Sequence, residues 1–351
     1  MNVAKLPQRD RETNVLLTCA GRRNYLITFF QEALGDRGAV FAGDQDATAP
    51  ALAAARRAFV LPAVDHPRYV ETLAAICRDS CVRLLIPLSD LELPILAAHA
   101  DRFRDAGTLP IVSSPAVIAT CFDKWTTAQF LGARGVGVPR TYGSLADAQE
   151  GLRRGEVTFP LVVKPRWGSA SIGVEYAEND AELPLAYAWA RARIARSFLA
   201  RASAAEPDRC VLVQERVSGT EYGLDIVNDL AGRHVCTLVK HKLGMRAGET
   251  DRAVTVECGE LERLGASIGA HLRHIGNLDC DVFLSDAGYR VVDLNPRFGG
   301  GYPFSHAAGA NLPAALVAWA RDDEPDPRWL KVRPNVTASK CDTLVVVEAR
   351  S

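Results

Sequence analysis

Short apolar segments alternate with amphipathic segments over the first third of the chain. The apolar segments span residues 14–21, 39–44, 57–61, 82–87 and 109–113. Stretches with the apolar spacing of helices lie between them, as in residues 25–34 and 69–78. Strands that alternate with helices form parallel sheets. We therefore expect a doubly wound α/β domain over residues 1–113, with ligands bound beyond the carboxyl ends of its strands.

Polar residues follow several of these strands. Arg22 and Arg23 come after the first strand, and Asp44 ends the second. Ser89 and Asp90 follow the fourth. The glycine before Arg22 lacks the spacing of the dinucleotide-binding fingerprint G-x-G-x-x-G, so dinucleotide binding is disfavoured. Two interpretations of the two arginines remain, which are contact with an acidic substrate and packing at a domain interface.

The composition is that of a globular protein with more than one domain. The chain has 351 residues, of which 48% are hydrophobic and 24% are charged, and its net charge is −1. A net charge near zero argues against general binding to nucleic acid or to a membrane surface. No apolar run reaches the roughly 18 residues that a membrane helix needs, and the first residues lack an apolar signal core. We expect a cytoplasmic protein with two or three domains.

Cysteines and one histidine pair are the candidates for disulfide or zinc sites. The chain has nine cysteines, none of which forms a C-x-x-C pair, and most lie inside apolar segments. We interpret them as buried thiols of a reducing compartment. His271 and His274 would share a helix face, but no third metal ligand is obvious nearby. A solvated or capping pair is therefore the favoured interpretation of these histidines.

A hairpin with a polar face is the strongest functional signal. Residues 280–297 form two alternating runs joined by Asp286-Ala287-Gly288, a turn sequence. Asp293, Asn295 and Arg297 lie two apart, so they share one face of an extended strand, and Asp281 lies in the facing run. Oxygen ligands of this kind suit Mg²⁺ that bridges to phosphates, and an arginine neutralises transferred charge. The alternative is a surface hairpin with a salt bridge.

Three further segments carry predictions. Lys164 ends an apolar strand and is followed by a loop of small residues, 168–173, whose backbone N–H groups would cradle phosphate oxygens. The loop is not a Walker A motif, because no Gly-Lys-Ser/Thr follows it. Residues 243–251 are polar with two glycines and are a candidate lid. Residues 343–347 predict a last strand.

The order of these motifs resembles the ATP-grasp superfamily. The motifs are Asp123-Lys124, Val163-Lys164-Pro165 with its Gly/Ser loop, Gln214-Glu215 before Gly219-Thr220-Glu221, and Asp281 with Asp293-Leu294-Asn295-Pro296-Arg297. Over residues 14–320 the chain looks most like the single-unit branch similar to the carbamoyl-phosphate synthase large chain, which includes amino-acid ligases. The resemblance implies a mixed α/β and α+β ATP-grasp fold. Its parts would be an N-terminal Rossmann-like, pre-ATP-grasp parallel-sheet domain (1–113), a central subdomain with the phosphate loop (114–213) and a C-terminal subdomain with the metal site (214–351).

The resemblance also implies roles for individual residues, in three groups. The nucleotide-binding group comprises Lys124, Lys164, Gly168, Ser169, Ser171, Gly173, Gln214, Glu215, Arg216, Val217 and Glu221. Lys124, Lys164 and the loop would contact phosphates, Glu215 and the backbone after it the adenine edge, and Glu221 the ribose. The metal ligands would be Asp281, Asp293 and Asn295. The catalytic group would be Arg297, which stabilises an acyl phosphate, and Lys240 or Lys242, which approaches the γ-phosphate.

The function implied by the resemblance is that of an ATP-dependent carboxylate–amine ligase. It would activate a small carboxylic acid, with an amino acid favoured, as an acyl phosphate, couple it to an amine, and release ADP and phosphate. ATP with Mg²⁺ or Mn²⁺ would be the cofactors, and the partners would be small molecules without nucleic acid or membrane, with a homodimer left open. Candidate substrate residues are Arg22, Arg23, Ser89, Asp90, Arg246, Glu249, Ser305 and His306. Two alternatives remain, which are an enzyme that forms carboxyphosphate or carbamate and a non-catalytic nucleotide-binding module.

Overall fold

Three β-sheets follow one another along the part of the chain that this computed structural model describes, which is residues 12–168, 173–197 and 199–347. The strands of the first sheet are β1 (Asn14–Thr18), β2 (Val40–Asp44), β3 (Arg57–Val60), β4 (Val82–Pro87) and β5 (Leu109–Pro110). Its helices are α1 (Asn24–Leu34), α2 (Pro50–Ala54), α3 (Tyr69–Asp79), α4 (Leu93–Ala98) and α5 (Ala100–Asp105). All neighbouring strands run parallel, in the order β3-β2-β1-β4-β5. The predicted parallel α/β sheet is confirmed.

The central strand of this sheet shows why the apolar segments are continuous. Val15, Leu16 and Leu17 of β1 are all fully buried, because side chains on both faces of the sheet pack against other buried residues. The parallel direction brings the carboxyl ends of β1, β2 and β4 to one edge of the sheet. The polar residues after these strands therefore lie at the same edge.

The second sheet is antiparallel and follows two helices, α6 (Pro115–Phe122) and α7 (Lys124–Gly132). Its strands are β6 (Thr141–Tyr142), β7 (Leu161–Pro165), β8 (Glu175–Ala177) and β9 (Val211–Glu215), in the order β6-β9-β7-β8. Its helices are α8 (Leu145–Arg153), α9 (Glu182–Ala195), α10 (Leu199–Ala202) and a 3₁₀ turn, Pro207–Arg209. The start of α7 is fixed at this sheet, because the backbone N–H of Lys124 donates to the carbonyl of Arg166 at 3.0 Å.

The third sheet is antiparallel and contains the predicted polar hairpin. Its strands are β10 (Thr220–Asn228), β11 (His234–Arg246), β12 (Glu249–Thr255), β13 (Gly276–Ser285), β14 (Gly288–Asn295) and β15 (Thr337–Ser339), in the order β14-β13-β10-β11-β12-β15. Its helices are α11 (Gly259–Leu272), α12 (Tyr302–Ala307), α13 (Leu312–Ala320) and a 3₁₀ turn, Pro327–Leu330. The hairpin is β13–β14, in which Asp281 lies opposite Asp293.

Two local predictions for this part of the chain are wrong. Residues 243–251 are not a polar loop, because β11 continues to Arg246 and β12 begins at Glu249, so that a strand hairpin stands where a lid loop was expected. Residues 343–347 do not form a strand, and Leu344 and Val346 are 94% and 76% exposed. The edge beside β12 is taken by β15. Both errors have the same cause. Whether a segment forms a strand here depends on which other strand it can pair with, and the polarity of the segment itself does not indicate that.

A shared hydrophobic core joins the first sheet to the chain after the hairpin. Leu26 and Phe30 of α1 belong to one buried cluster with Phe298, Tyr302 and Leu316. The rings of Phe30 and Phe298 meet edge to face, with centroids 6.1 Å apart. This packing fixes the segment that follows β14 beside the carboxyl ends of β1 and β4.

Candidate active site

A cleft of about 1380 Å³ lies where the three sheets meet. Its lining includes most of the sequence-predicted site residues, namely Lys124, Lys164, Gly168, Gln214, Glu215, Arg216, Val217, Glu221, Lys242, Asp281, Asp293, Asn295 and Arg297. Lys240 and Gly173 do not line it. Ser169 and Ser171 lie outside the described residues. The structure thus brings together residues that are up to 173 positions apart in sequence, from Lys124 to Arg297.

Two carboxylates face each other on the floor of the cleft, and each is paired with a lysine. Asp281 of β13 lies opposite Asp293 of β14, a juxtaposition of like charges that is unfavourable unless cations are near. Lys242 Nζ donates to Asp281 Oδ1 at 2.6 Å, and Lys124 Nζ donates to Asp293 Oδ1 at 2.6 Å. Burial would raise the pKa of Asp293, but Lys124 and Lys164 outweigh it and hold that pKa below its usual range.

The oxygen atoms of this floor fit a magnesium ion that brings further ligands with it. Asp281, Asp293 and Asn295 offer carboxylate and amide oxygens on one sheet face, the donor type that Mg²⁺ prefers. No group of three or more His, Cys, Asp and Glu side chains in residues 12–168, 173–197 and 199–347 is arranged to hold a metal alone. The donor set is therefore partial, as expected for Mg²⁺ that keeps water and nucleotide phosphates as its other ligands.

Lys164 lies at the end of β7, on the other wall of the cleft. Its ammonium is buried and donates to Gln214 Oε1 at 2.7 Å. Burial, helped by the positive charge of Lys124, lowers the pKa of Lys164 to about 8. An anion that entered the cleft between Lys124 and Lys164 would favour the protonated form.

Lys240 and Lys242 of β11 have different surroundings. Lys240 is fully buried and its Nζ lies 2.7 Å from Asp225 Oδ2 and 3.3 Å from Ser305 Oγ. Lys242 contacts Glu221 at 2.8 Å in addition to Asp281. Burial alone would lower the pKa of Lys242, but Asp281 and Glu221 raise it above its ordinary value. Of the two lysines, Lys242 is the one that faces the cleft.

Arg297 follows β14 and connects the floor to the parallel sheet. Its Nη2 lies 2.7 Å from Asp90 Oδ2, and its Nη1 lies 3.1 Å from Asp279 Oδ2. The arginine side chain is 8% exposed. Burial opposes the charge, but Asp90 and Asp279 together raise the pKa of Arg297. The guanidinium is therefore held in one orientation between two acids.

Residues from β9 and the segment after it line the part of the cleft that belongs to the second sheet. Gln214 Nε2 donates to Thr141 Oγ1 at 2.7 Å, which aims its oxygen at Lys164. Glu215 Oε2 accepts from the backbone N–H of Arg140 at 3.1 Å. The guanidinium of Arg216 lies 5.1 Å from the ring centre of Tyr176. This part of the cleft thus combines polar side chains with the ring of Tyr176.

Two family models match the chain. The model described as PylC-like, N-terminal domain matches residues 15–111, and the model described as ATP-grasp in the biosynthetic pathway with Ter operon matches residues 208–343. The first segment covers the parallel sheet, and the second covers β9 and the sheet that carries the hairpin. The second model assigns residues 208–343 to the ATP-grasp superfamily. The superfamily and the fold that the sequence predicted are confirmed.

Solved ATP-grasp structures resemble the whole molecule at low sequence identity. The biotin carboxylase domain of Hydrogenobacter thermophilus 2-oxoglutarate carboxylase, determined with MgADP and bicarbonate, is 15% identical, with a TM-score of 0.72 over 94% of this chain and 74% of that one. An L-amino acid ligase from Bacillus licheniformis is 18% identical, with a TM-score of 0.66 over 93% of this chain and 78% of that one. An N5-carboxyaminoimidazole ribonucleotide synthetase bound to ADP is 13% identical, with a TM-score of 0.70 over 95% of this chain and 82% of that one. At this level of identity the matches show the fold of the molecule.

The candidate substrate residues of this ATP-grasp protein fall into two groups. Arg23, Ser89, Asp90 and Glu249 line the cleft. The others lie elsewhere: Arg22 and Arg246 both pair with Asp342, Ser305 bonds Asp225, and His306 stacks on Phe29 with ring centres 3.6 Å apart. In the described chain no helix is both long and apolar enough to cross a membrane.

Two residues in or beside the cleft were not predicted from the sequence. Asp279 lines the cleft and contacts Arg297, and burial, together with the charge of Asp281, raises its pKa to about 6. It lies two positions before Asp281, so the same alternation that selected Asp281 would have found it. Tyr25 lies near Arg23, Glu249 and Arg297. No local signal marks it, because a tyrosine in an amphipathic helix is typical of an ordinary core position.

Proposed function

We propose that this ATP-grasp protein is an ATP-dependent carboxylate–amine ligase. One observation carries the proposal, which is the convergence of Lys124, Lys164, Lys242 and Arg297 with the Asp281–Asp293 pair in a single cleft. Four cationic side chains in one cleft suit a polyanion next to a further carboxylate. The lysines would suffice to bind a nucleotide. The additional buried arginine, Arg297, lies where we expect the nucleotide's phosphate to meet a second substrate.

The proposed reaction has two steps. In the first, an oxygen of the acid's carboxylate attacks the γ-phosphorus of ATP, the bond from phosphorus to the bridging oxygen breaks, and ADP leaves. In the second, a neutral amine attacks the acyl carbon, its extra proton is lost, and inorganic phosphate leaves with the oxygen that came from the carboxylate. Phosphorylation thus supplies the leaving group that a carboxylate lacks.

The cleft residues would act by binding and orienting the charged groups. Lys124 and Lys164 approach the phosphates from two sides, and Lys242 is the lysine that we assign to the γ-phosphate, because Lys240 is buried away from the cleft. Asp281, Asp293 and Asn295 would hold Mg²⁺, which neutralises phosphate charge when it is bound. Arg297, held by Asp90 and Asp279, would stabilise the charge that develops on the transferred group.

Bicarbonate is the second candidate for the acid. The structure of the similar biotin carboxylase domain was determined with bicarbonate, which supports bicarbonate as a candidate for the acid. The two candidates differ in the expected co-substrate dependence: an organic acid would stimulate ADP release in bicarbonate-free buffer, whereas carboxyphosphate formation would require bicarbonate.

An ADP-release screen tests the proposal. The protein with Mg²⁺ and ATP is given amino acids singly, in pairs, and with bicarbonate plus each amine. We expect ADP release that depends on an acid and rises with an amine, and that is lost in Arg297→Ala but retained in Arg22→Ala, a control because Arg22 is exposed and pairs with Asp342. ATP turnover that ignores every acid, or ATP binding without turnover across the panel, would refute the ligase function.

A further inference from the structure

Two buried hydrogen-bond donors, one in the wall of the cleft and one near it, have no acceptor among the described residues. They are Nε of Arg23, just after β1, and the hydroxyl of Tyr25, at the start of α1. Arg23 lines the cleft, and Tyr25 lies close to Arg23, Glu249 and Arg297. A buried donor without an acceptor is unfavourable, so the pair is ready to receive an oxygen atom that would satisfy both.

Arg23 is held in place by contacts that leave part of its guanidinium available. Its Nη1 donates to the carbonyl of Leu88 at 2.7 Å, which fixes the loop after β4. Its Nη2 lies 3.6 Å from Glu249 Oε1, a distance longer than a hydrogen bond. The side chain is 21% exposed. The arginine is thus oriented by one contact and only loosely neutralised by the other.

Tyr25 is a donor at neutral pH. Burial raises the pKa of Tyr25 to about 12, although Arg23 acts in the opposite direction, so the hydroxyl keeps its proton. Its ring packs against Phe29 with centroids 5.9 Å apart, which limits the directions in which the hydroxyl can point. An acceptor has to come to this hydroxyl, because the described side chains around it supply none.

The local charge favours an anion as that acceptor. Glu249 is shared between Lys340, at 3.1 Å, and Arg23. Arg297 is already matched by Asp90 and Asp279. Two cations, Arg23 and Lys340, therefore share the single carboxylate of Glu249. A guanidinium donor and a phenol donor match the two oxygens of a carboxylate.

We propose that Arg23 and Tyr25 form a subsite for a carboxylate group other than the one that is phosphorylated. The inference rests on the proposed ligase function and names a substrate class for it. We place the reacting carboxylate beside Arg297 and the phosphates, whereas Arg23 and Tyr25 belong to the β1–α1 segment of the parallel-sheet domain. The extra carboxylate has two possible sources, which are a second acid group on the activated acid and the carboxylate of an amino acid that serves as the amine.

Matched pairs of substrates distinguish the two sources. In the acid arm, hydroxylamine replaces the amine and traps the acyl group as a hydroxamate, and aspartate, glutamate and succinate are compared with asparagine, glutamine and succinamate. In the amine arm, glycine and alanine are compared with glycinamide and alaninamide, with the best acid present. Binding of the same pairs to the protein loaded with ADP and Mg²⁺ is measured by calorimetry, which needs no turnover.

In one arm we expect the carboxylate member of each pair to be favoured by at least about tenfold in kcat/KM, the scale of one lost charge-assisted hydrogen bond. Arg23→Gln should lower kcat/KM for the carboxylate member more than for the amide member and so remove that preference, Tyr25→Phe should reduce it without removing a charge, and the neighbouring Arg22→Gln should keep it. The same order is expected in the calorimetric affinities.

The subsite is overturned if neither arm shows a preference in turnover and in binding, or if the preference survives both Arg23→Gln and Tyr25→Phe. Tyr25→Phe keeps the ring and its packing, so it decides the matter even if Arg23→Gln fails to fold. A different result would refute the ligase function, namely the absence of ADP release with every acid. In that case the calorimetric comparison still shows whether the subsite exists.

Discussion

At the scale of single residues, two lysines on the same face of β11 have different tasks. Lys240 is enclosed by Asp225 and Ser305, whereas Lys242 contacts the acids of the cleft. Their spacing of two gives both side chains one direction, so the sequence alone had no basis for choosing between them. The choice is made by α12, which carries Ser305 and covers only the first of the pair.

Replacing each lysine with methionine separates these tasks. Lys240→Met should lower the free energy of unfolding by about 3–5 kcal/mol, because it leaves Asp225 buried without its cation. Lys242→Met should leave the unfolding transition much nearer that of the unchanged protein and lower kcat by about a hundredfold. Chemical denaturation and steady-state kinetics check both. A larger stability loss in Lys242→Met than in Lys240→Met would reverse the assignment.

At the same scale, the lowered pKa of Lys164 leads us to expect that kcat/KM for ATP depends on pH. Its pKa of about 8 reflects burial and the charge of Lys124. In the site that we propose, the protonated form would bind phosphate. Protonation is complete well below pH 8 and is lost as the pH rises through that value, so kcat/KM for ATP should fall on the alkaline side. Lys164→Arg keeps its charge throughout this range and should flatten that limb. An identical alkaline limb in wild type and variant would assign it to another group.

At the scale of elements, the loop after β4 couples the parallel sheet to the arginine of the floor. Glu92 is fully buried; its Oε1 accepts from the backbone N–H of Leu88 at 3.0 Å and its Oε2 from the hydroxyl of Tyr69 at 2.8 Å. This holds the loop so that Asp90 meets Arg297. The parallel sheet thus contributes a positioning residue to a site whose floor belongs to another sheet.

Asp90→Asn tests this coupling. The amide keeps the shape of the side chain but removes its charge, so Arg297 loses its strongest anchor while the fold is retained. We expect kcat to fall by about tenfold or more with a smaller change in KM for ATP, because the anchor acts where transferred charge develops. Asp101→Asn, which removes the charge of an exposed aspartate that pairs with Arg104 on α5, is the control. Equal losses in kcat and in ATP affinity would mean that Asp90 supports the cleft in general.

Elements with local signals were predictable, and pairings between distant elements were not. The β13–β14 hairpin follows from its turn residues and its alternation, and the parallel sheet follows from the order of apolar and amphipathic segments. The contact of Asp90 with Arg297 spans 207 positions, and no pattern near either residue indicates it. The β11–β12 hairpin was mistaken for a loop for the same reason, because its strands are stabilised by each other and by β15.

At the scale of the whole molecule, the cleft exists because the first and third sheets share a core. Phe30 of α1 and Phe298 after β14 pack together, so the carboxyl ends of the parallel strands face the end of the floor at Arg297, where we place the transferred phosphate. The second sheet, through Lys164 and Gln214, bounds the other end of the cleft, where we propose that the nucleotide binds. Chemistry at the junction therefore requires all three sheets, and the acid would be selected by the parallel sheet at the end away from the nucleotide.

The fate of a carboxylate oxygen tests the central claim most directly. The acid identified by the ADP screen is labelled with ¹⁸O in its carboxylate, turned over with Mg²⁺, ATP and the amine, and the inorganic phosphate is analysed by mass spectrometry. An acyl-phosphate ligase transfers one labelled oxygen to each phosphate that it releases, and we predict that result together with ADP. Phosphate without label, or AMP with pyrophosphate, would contradict the account.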